Sequence, residues 1–493
     1  MFRIILTIGA IQILAIAINF VRTKLVAVLV GPEGVGIIST IDQVVQTASY
    51  FSALSLPFVS VKYLSKAHSE GSESFKKTYA NFLKVLLILS SVGAIIASGV
   101  VIFRPQLFGQ EVMKYRMLLG LALLGVPTMV LGGFFMQTLA AAQKPKHSSI
   151  LTVLGGATLT IATVVGVIVG GVFGFYIATV IVGFLITAAT LIYLRKVFDL
   201  PFYDRAASFL GELKTNPDII PFALMLYFAT LTYSLSFLVV RYTVLKNYGE
   251  ASAGFLHAAI ALSLAIGMAL NPANGLYLTP IMNRKIEKKE KIKAAFEFEK
   301  KFAIILSLVS MPVVLFPNLM LAVLFSTEFM VVSQFVFLFV AAQVISQLAG
   351  IHQALLIGFD DLKAYSLMTC IGHISLGLLS WFLIPYFGIY GAAIGFITAY
   401  SIIFISTLLR LRIKHGFVMP GQLKILLLYI LTVILLAGAV STQYEAWSVI
   451  IIAAKIGVCL LFMLSLLFYL SKEERGFLYS YLDKIRFKKT LNA

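Results

Sequence analysis

Apolar runs of about 20 residues or more recur from one end of the chain to the other, each long enough to cross a ~30 Å hydrocarbon core as a helix. The pattern predicts an all-α polytopic membrane protein with about fourteen spans, or about twelve on the strictest reading. The first run, from about Ile4 to Val30, lacks the short apolar core and small-residue cleavage site of a leader, so it is expected to be a retained span. Breaks on one side are short turns, such as Gly31 to Gly36 and Tyr248 to Gly254. Longer charged stretches, Lys62 to Lys84, Arg195 to Asp218 and Arg284 to Lys301, fall on the other side. Within the second of these the pattern predicts an amphipathic surface helix from Phe198 to Leu213.

The breaks repeat. Gly31 and Gly36 match Gly249 and Gly254 at an offset of 218, while Gly171, Gly174 and Arg195 match Gly388, Gly391 and Arg412 at an offset of 217. An even number of spans per copy makes the copies parallel, as in transporters whose halves are related by an axis along the membrane normal. The expected organisation is a six-helix lobe over 1–197, an amphipathic linker over 198–217, a second six-helix lobe over 218–415, and two additional spans with a basic tail over 416–493.

Composition narrows the class further. The 493 residues are 60% hydrophobic and 12% charged, about half the charge density of a soluble domain. The net charge of +18 is unevenly placed: of 39 Lys and Arg, only Arg104, Lys114, Arg116 and Lys246 fall on the side of the Gly31 turn, and Arg22, Lys24, Arg241 and Lys455 lie within spans. By the positive-inside rule both termini are cytoplasmic. The basic excess is expected to meet anionic inner-leaflet lipids and not nucleic acid. Cys370 and Cys459 sit far apart in apolar runs, which argues against a disulfide framework or a metal site.

Ionisable groups at depth are the first functional candidates, because one Arg or Lys at a helix centre costs roughly 2.5 to 3.5 kcal/mol or more. Counted from the outer turns at 1.5 Å per residue, Lys24 lies about 10 Å deep, Arg22 about 13 Å, Asp42 about 9 Å and Arg241 about 12 Å. Tyr227, Thr230, Ser234 and Arg241 share one helical face, as do Gln12 and Asn19 with Arg22 at their edge. Lys24 points nearly opposite Arg22. A cationic cavity built this way suits an anionic head such as a diphosphate; the other reading is that Arg22 and Lys24 snorkel or pair with Asp42 as structural glue. Asp42 is either a group that relays protons or binds a coupling cation, or a fixed counter-ion of Lys24. His257 is a second titratable candidate, or an interfacial hydrogen-bonding residue.

Other motifs are set aside. The glycines at 31, 34 and 36 join two spans and do not form a dinucleotide fingerprint. Asp360-Asp361 reads as a solvated turn equivalent to Lys144-Pro145-Lys146. No Walker A loop, zinc-helix motif or paired-cysteine signature occurs, so neither a cofactor nor an enzymatic role is expected.

The run Lys24-Leu25-Val26-Ala27-Val28-Leu29-Val30-Gly31-Pro32-Glu33-Gly34-Val35-Gly36, followed by Val61-Lys62-Tyr63 before a basic stretch, resembles the Wzx-type polysaccharide flippases of the MATE-like (MOP) superfamily. The likeness is nearest to translocases of undecaprenyl-diphosphate-linked O-antigen or enterobacterial common antigen units. The resemblance implies two six-helix lobes around a cationic cavity, and it brings Lys62 among the residues that meet substrate. It further implies alternating access that carries a lipid-linked oligosaccharide from the inner to the outer leaflet of the bacterial cytoplasmic membrane, beside other polysaccharide-assembly membrane proteins. Coupling to a proton or sodium gradient is expected for the superfamily. Two alternatives compete. A MATE-type multidrug exporter mostly moves cations, which Arg22 and Arg241 oppose. A membrane polymerase or ligase needs a large outward loop, which the short outer turns do not supply.

Overall fold

The computed structural model describes residues 2–108, 114–202, 204, 207–273, 278–282, 287–443 and 448–469. Among them every regular element is helical: α1 (Phe2–Ala53), α2 (Leu56–Glu70), α3 (Ser72–Phe103), α4 (Arg116–Leu123), α5 (Val126–Ala141), α6 (Pro145–Phe198), α7 (Phe209–Thr215) and α8 (Ile219–Ala273). There follow α9 (Thr279–Met282), α10 (Lys288–Leu315), α11 (Pro317–Leu324), α12 (Val336–Gly358), α13 (Leu362–Phe387), α14 (Ile389–His415), α15 (Gly421–Gln443) and α16 (Val449–Leu466). Closed helices are what a chain this apolar must form, because a backbone N–H or C=O left unpaired in hydrocarbon costs several kcal/mol.

Ten helices of the described residues are long and apolar enough to cross a membrane, or up to eleven if α10 and α11, bent by 86°, are taken as one span. Helices α1, α6 and α8 run 52, 54 and 55 residues, about 80 Å if straight. Each is broken at glycine, and counting each as two limbs brings eleven spans to fourteen. The breaks are left-handed, a conformation glycine adopts without a Cβ penalty. Gly31 has φ 66, ψ −175 and Gly249 φ 80, ψ −177; Gly171 has φ 57, ψ −141 and Gly388 φ 57, ψ −136.

The limbs fold back as hairpins. A β-carbon placed on Gly174 would stand 1.9 Å from the Gly166 carbonyl oxygen, and one on Gly391 2.5 Å from that of Leu383. Residues eight apart in a straight helix are about 12 Å apart, so the chain reverses at both turns with backbones in contact. The basic-face ends recur in the same way. Asp199 (φ 51) and Gly416 (φ 68) close α6 and α14 with N–H bonds to Leu194 and Leu411, and Gln143 (φ 55) precedes α6 as Asp360 (φ 58) precedes α13.

At the Gly31 face the two long hairpins cross reciprocally. A β-carbon on Gly36 would lie 1.9 Å from the Glu250 carbonyl oxygen, and one on Gly254 2.0 Å from that of Pro32. Lys114 braces this crossing through Glu250 at 2.6 Å. Small residues let helix backbones approach in this way. We expect Gly36→Ala and Gly254→Ala each to destabilise the protein by about 1 to 3 kcal/mol through overpacking. Gly99→Ala, inside α3 where a β-carbon meets nothing within 4 Å, should be neutral to slightly stabilising. Thermal unfolding in detergent checks the contrast, and equal melting of all three variants would contradict it.

Buried apolar side chains form two clusters. One lies between Val26 and Ala223; the other runs from Phe237 to Leu466 and takes in Ala27 and Val35 of α1. The added helices α15 and α16 are tied together by Tyr429 and Ser465 at 2.7 Å, and Ser441 anchors α15 to the Leu315 carbonyl at 3.0 Å.

Two expectations change. Among the described residues the surface helix expected from Phe198 to Leu213 is not continuous: α6 ends at Phe198, Asp199 turns left-handed, and α7 begins at Phe209, where the Ser208 hydroxyl caps it. Pro201 and the capping serine favour a break there. The charged stretches Lys62 to Lys84, apart from the break at Gly71, and Lys288 to Lys301 are helical, carrying the spans beyond their apolar limits.

Candidate functional site

Arg22 and Asp42 are 20 residues apart, about 30 Å along a straight helix, yet the hairpin at Gly31 sets both on one cavity of about 210 Å³, shared with Asn19, Thr23, Phe175 and His257. Arg22 is half-buried. Its Nε donates to Thr163 Oγ1 at 3.2 Å, and its guanidinium carbon stands 5.2 Å from the centre of the Phe175 ring. Its terminal nitrogens make no hydrogen bond to the described residues. Asp42 accepts from the Tyr176 hydroxyl at 2.8 Å and lies within electrostatic range of both Arg22 and Arg241.

Arg241 comes from the other long hairpin. It is only 7% exposed, and its Nε has no hydrogen-bond partner among the described residues. Both terminal nitrogens stand 3.5 Å from Nδ1 of His257, eight residues on the far side of Gly249. If that nitrogen accepts, the imidazole carries its proton on Nε2. A buried guanidinium normally finds full partners; this one keeps donors unused. Two guanidinium groups against one carboxylate leave the site cationic, and low-dielectric walls focus that potential on an entering anion.

The remaining candidates lie elsewhere. Ser234 is fully buried, accepting from Gln43 at 3.1 Å and bonding Thr47 at 2.8 Å. Tyr227 packs edge-on against Phe51, and Thr230 meets Ser55 at 3.0 Å. That stripe therefore packs α8 against the returning limb of α1 and the turn after it, and Arg241 at its end stands behind His257, which lines the cavity. Lys24 does not line the cavity, nor does it pair with Asp42. It donates to the Ala322 and Phe325 carbonyls at the end of α11, where the helix dipole favours a cation. Lys62 is also outside the cavity, bound to Asp218 at 2.8 Å with both side chains more than half exposed, at 54% and 57%. The side chain of Gln12 lies outside the described residues.

Asp361 is not a solvated turn. It is buried and gathers Arg410, Lys414 and His415 at 2.9, 3.1 and 3.3 Å; hydrogen bonding from Arg410 holds its carboxyl well below the usual range. Composition gave no signal for Thr163, Phe175 or Tyr176, because each acts through a helix far away in sequence. Tyr176 follows Gly174 by two residues, so only the hairpin at Gly171 could have suggested that it returns at the depth of Asp42. A fully buried pair, Glu299 and His352 at 3.1 Å, likewise has no local sequence signal.

The sequence profile of the polysaccharide biosynthesis protein family matches residues 3–286, more than half of the chain. No curated protein matches it. Solved structures similar to it include a multidrug resistance MATE family transporter of the MOP superfamily in its inward-facing conformation. That likeness has TM-score 0.66 and 16% identity, covering 83% of this chain and 94% of the other. The outward-facing conformation of such a transporter gives 0.63 at 16% identity, covering 84% and 95%. A MOP superfamily transporter from Pyrococcus furiosus Vc1, described by the reverse polarity of its binding pocket, gives 0.63 at 15% identity, covering 82% and 95%. At such identities these likenesses concern the fold.

Proposed function

The chain belongs to the polysaccharide biosynthesis protein family, and on that premise we propose that this multi-pass transporter flips a diphosphate-linked lipid oligosaccharide from the inner to the outer leaflet of a bacterial cytoplasmic membrane, both termini being cytoplasmic. The observation that carries the reading is the under-coordinated guanidinium of Arg241, buried beside a cavity where Arg22 also presents free donors. A diphosphate supplies the planar, bidentate acceptors that such forks lack. Asn19, Arg22 and Arg241 hold the head. Asp42, hydrogen-bonded to Tyr176 and facing both arginines, is the group whose charge state can weaken or strengthen that hold and so couple it to an ion gradient. The alternation moves the head past the crossing of Gly36 and Gly254, one hairpin rocking on the other. A cation exporter is disfavoured, because a drug cation would meet two fixed positive charges for one negative.

Reconstitution in proteoliposomes tests the proposal. An undecaprenyl-diphosphate saccharide should become accessible to a membrane-impermeant hydrolase on the far side, at a rate that requires the protein. Movement of a quaternary-ammonium dye without movement of the lipid would support the exporter reading and overturn this one.

The same geometry makes Arg241→Lys a partial defect, about threefold to tenfold slower, since lysine keeps the charge and loses the planar fork. Initial flipping rates normalised to reconstituted protein check it. Full activity would reduce Arg241 to a source of field.

A further inference from the structure

Directly inward of the cationic cavity the returning limb of α1 lines a second, uncharged one. It measures about 190 Å³ and is bounded by Gln46, Tyr50 and Phe58, with Met129, Gly133 and Gln137 of α5 opposite. Gln46 lies one turn after Asp42 on the same face of the helix, about 6 Å along the axis, and Tyr50 one turn further. The two cavities thus follow each other along one helical face.

The lining has a definite chemistry. Gln46 donates to the Tyr50 hydroxyl at 3.3 Å and keeps its carbonyl oxygen unused. Gln137, half-buried, makes no hydrogen bond to the described residues, so both ends of its amide are available. Two amides, a phenol and an aromatic ring face a space that contains no charged side chain. A hydrocarbon chain there would strand the amides without partners, and a cation would find no carboxylate. A ligand rich in neutral hydroxyls fits both needs: amides pair with a hydroxyl as donor and acceptor, and Tyr50 and Phe58 cover the apolar face of a ring.

We infer that this cavity is the carbohydrate subsite, taking the sugar attached directly to the diphosphate held by Arg22 and Arg241. The inference rests on the transport reading above. It assigns the choice of sugar to Gln46, Tyr50 and Gln137, and the choice of an anionic lipid to the arginines. Gly133 offers a clean handle, because a β-carbon placed there meets nothing within 4 Å. A larger side chain can therefore fill the cavity with no backbone in its way.

The test uses the full chain in nanodiscs and three probes: undecaprenyl diphosphate, and the same lipid bearing one N-acetylglucosamine or one galactose. Wild-type protein should bind at least one glycosylated lipid about tenfold tighter than the bare diphosphate, the scale of one or two neutral hydrogen bonds. In Gly133→Leu and in Gln137→Leu that ratio should fall to about one, with the melting temperature of each variant retained. A wild-type ratio near one for both sugars, or a preference that survives both substitutions, overturns the subsite and leaves the diphosphate site standing. Failure of the wild type to bind any of the three lipids removes the transport reading and the subsite together.

Discussion

Replacing Arg241 with alanine is expected to slow translocation by about tenfold to a hundredfold, the loss of one charge-assisted hydrogen bond of roughly 1.5 to 3 kcal/mol to the carried anion. The comparison that gives the result meaning is Lys455→Ala. Lys455 also lies in a span, but it borders an apolar groove between α15 and α16, 6.0 Å from the Phe316 ring, far from the arginine cavity. Both variants delete one positive charge from a membrane helix, so a generic field predicts equal effects. A cavity that grips an anion predicts a large defect only at Arg241. The measurement is the initial flipping rate at matched abundance. Equal rates in the two variants would remove the case for Arg241 as a ligand. His257 sharpens the reading: among the described residues its imidazole is the hydrogen-bonding partner of the Arg241 terminal nitrogens, at 3.5 Å. Arg241→Ala leaves that ring facing the cavity, and neither the α8 backbone nor the crossing at Gly254 depends on it, so abundance should change little.

Asp42→Asn should abolish the stimulation of transport by an imposed ion gradient while leaving abundance near that of the wild type. The amide is nearly isosteric, and its oxygen can still accept from the Tyr176 hydroxyl, which lies 2.8 Å from the carboxylate. What it cannot do is change charge between Arg22 and Arg241. The structure also alters what a second substitution should do. Lys24 is bound to carbonyls at the end of α11 and not to Asp42. Adding Lys24→Met to Asp42→Asn therefore restores nothing, and Lys24→Met alone should lower thermal stability by removing a cation from a helix C-terminus, about 1 kcal/mol. Flipping would be measured with and without a pH or sodium step across the vesicle. Gradient stimulation that survives in Asp42→Asn would exclude Asp42 as the coupling group and turn attention to His257. Recovery of abundance or coupling in the double variant would instead restore the ion pair that the packing denies.

Membrane spans were legible because each is a local property: an apolar run long enough for hydrocarbon can only be helix. The hairpin turns were legible for a related reason, since Gly31, Gly171, Gly249 and Gly388 occupy left-handed conformations that only glycine adopts cheaply, and they recur at nearly constant offset. From the turns came depth, and depth placed Arg22, Asp42 and Arg241 at one level before any packing was known. Depth is a one-dimensional coordinate, and it stops there. A helical wheel says that Tyr227, Ser234 and Arg241 share a face, but not what covers that face. Gln43 and Thr47 cover Ser234, while Arg241 meets His257 at the wall of the cavity, an arrangement set by the helices that cross at Gly36 and Gly254. Lys24 and Arg22 have the same residue class and nearly the same depth, yet one is spent on the carbonyls of α11 and the other opens to the cavity. Their environments are built from residues roughly 300 and 140 positions away, and no local pattern carries that pairing. The linker failed for the opposite reason: its apolar spacing suggested one helix, while among the described residues Pro201, the left-handed Asp199 and the Ser208 cap separate α6 from the short helix Phe209–Thr215. Sequence by itself determined where the chain crosses, where it turns and how deep its charges sit, because hydrocarbon imposes those terms residue by residue. Which charges meet a ligand was decided only when the two glycine-hinged hairpins packed, because a side chain's partners are set by the azimuth and crossing of helices that the linear order does not encode.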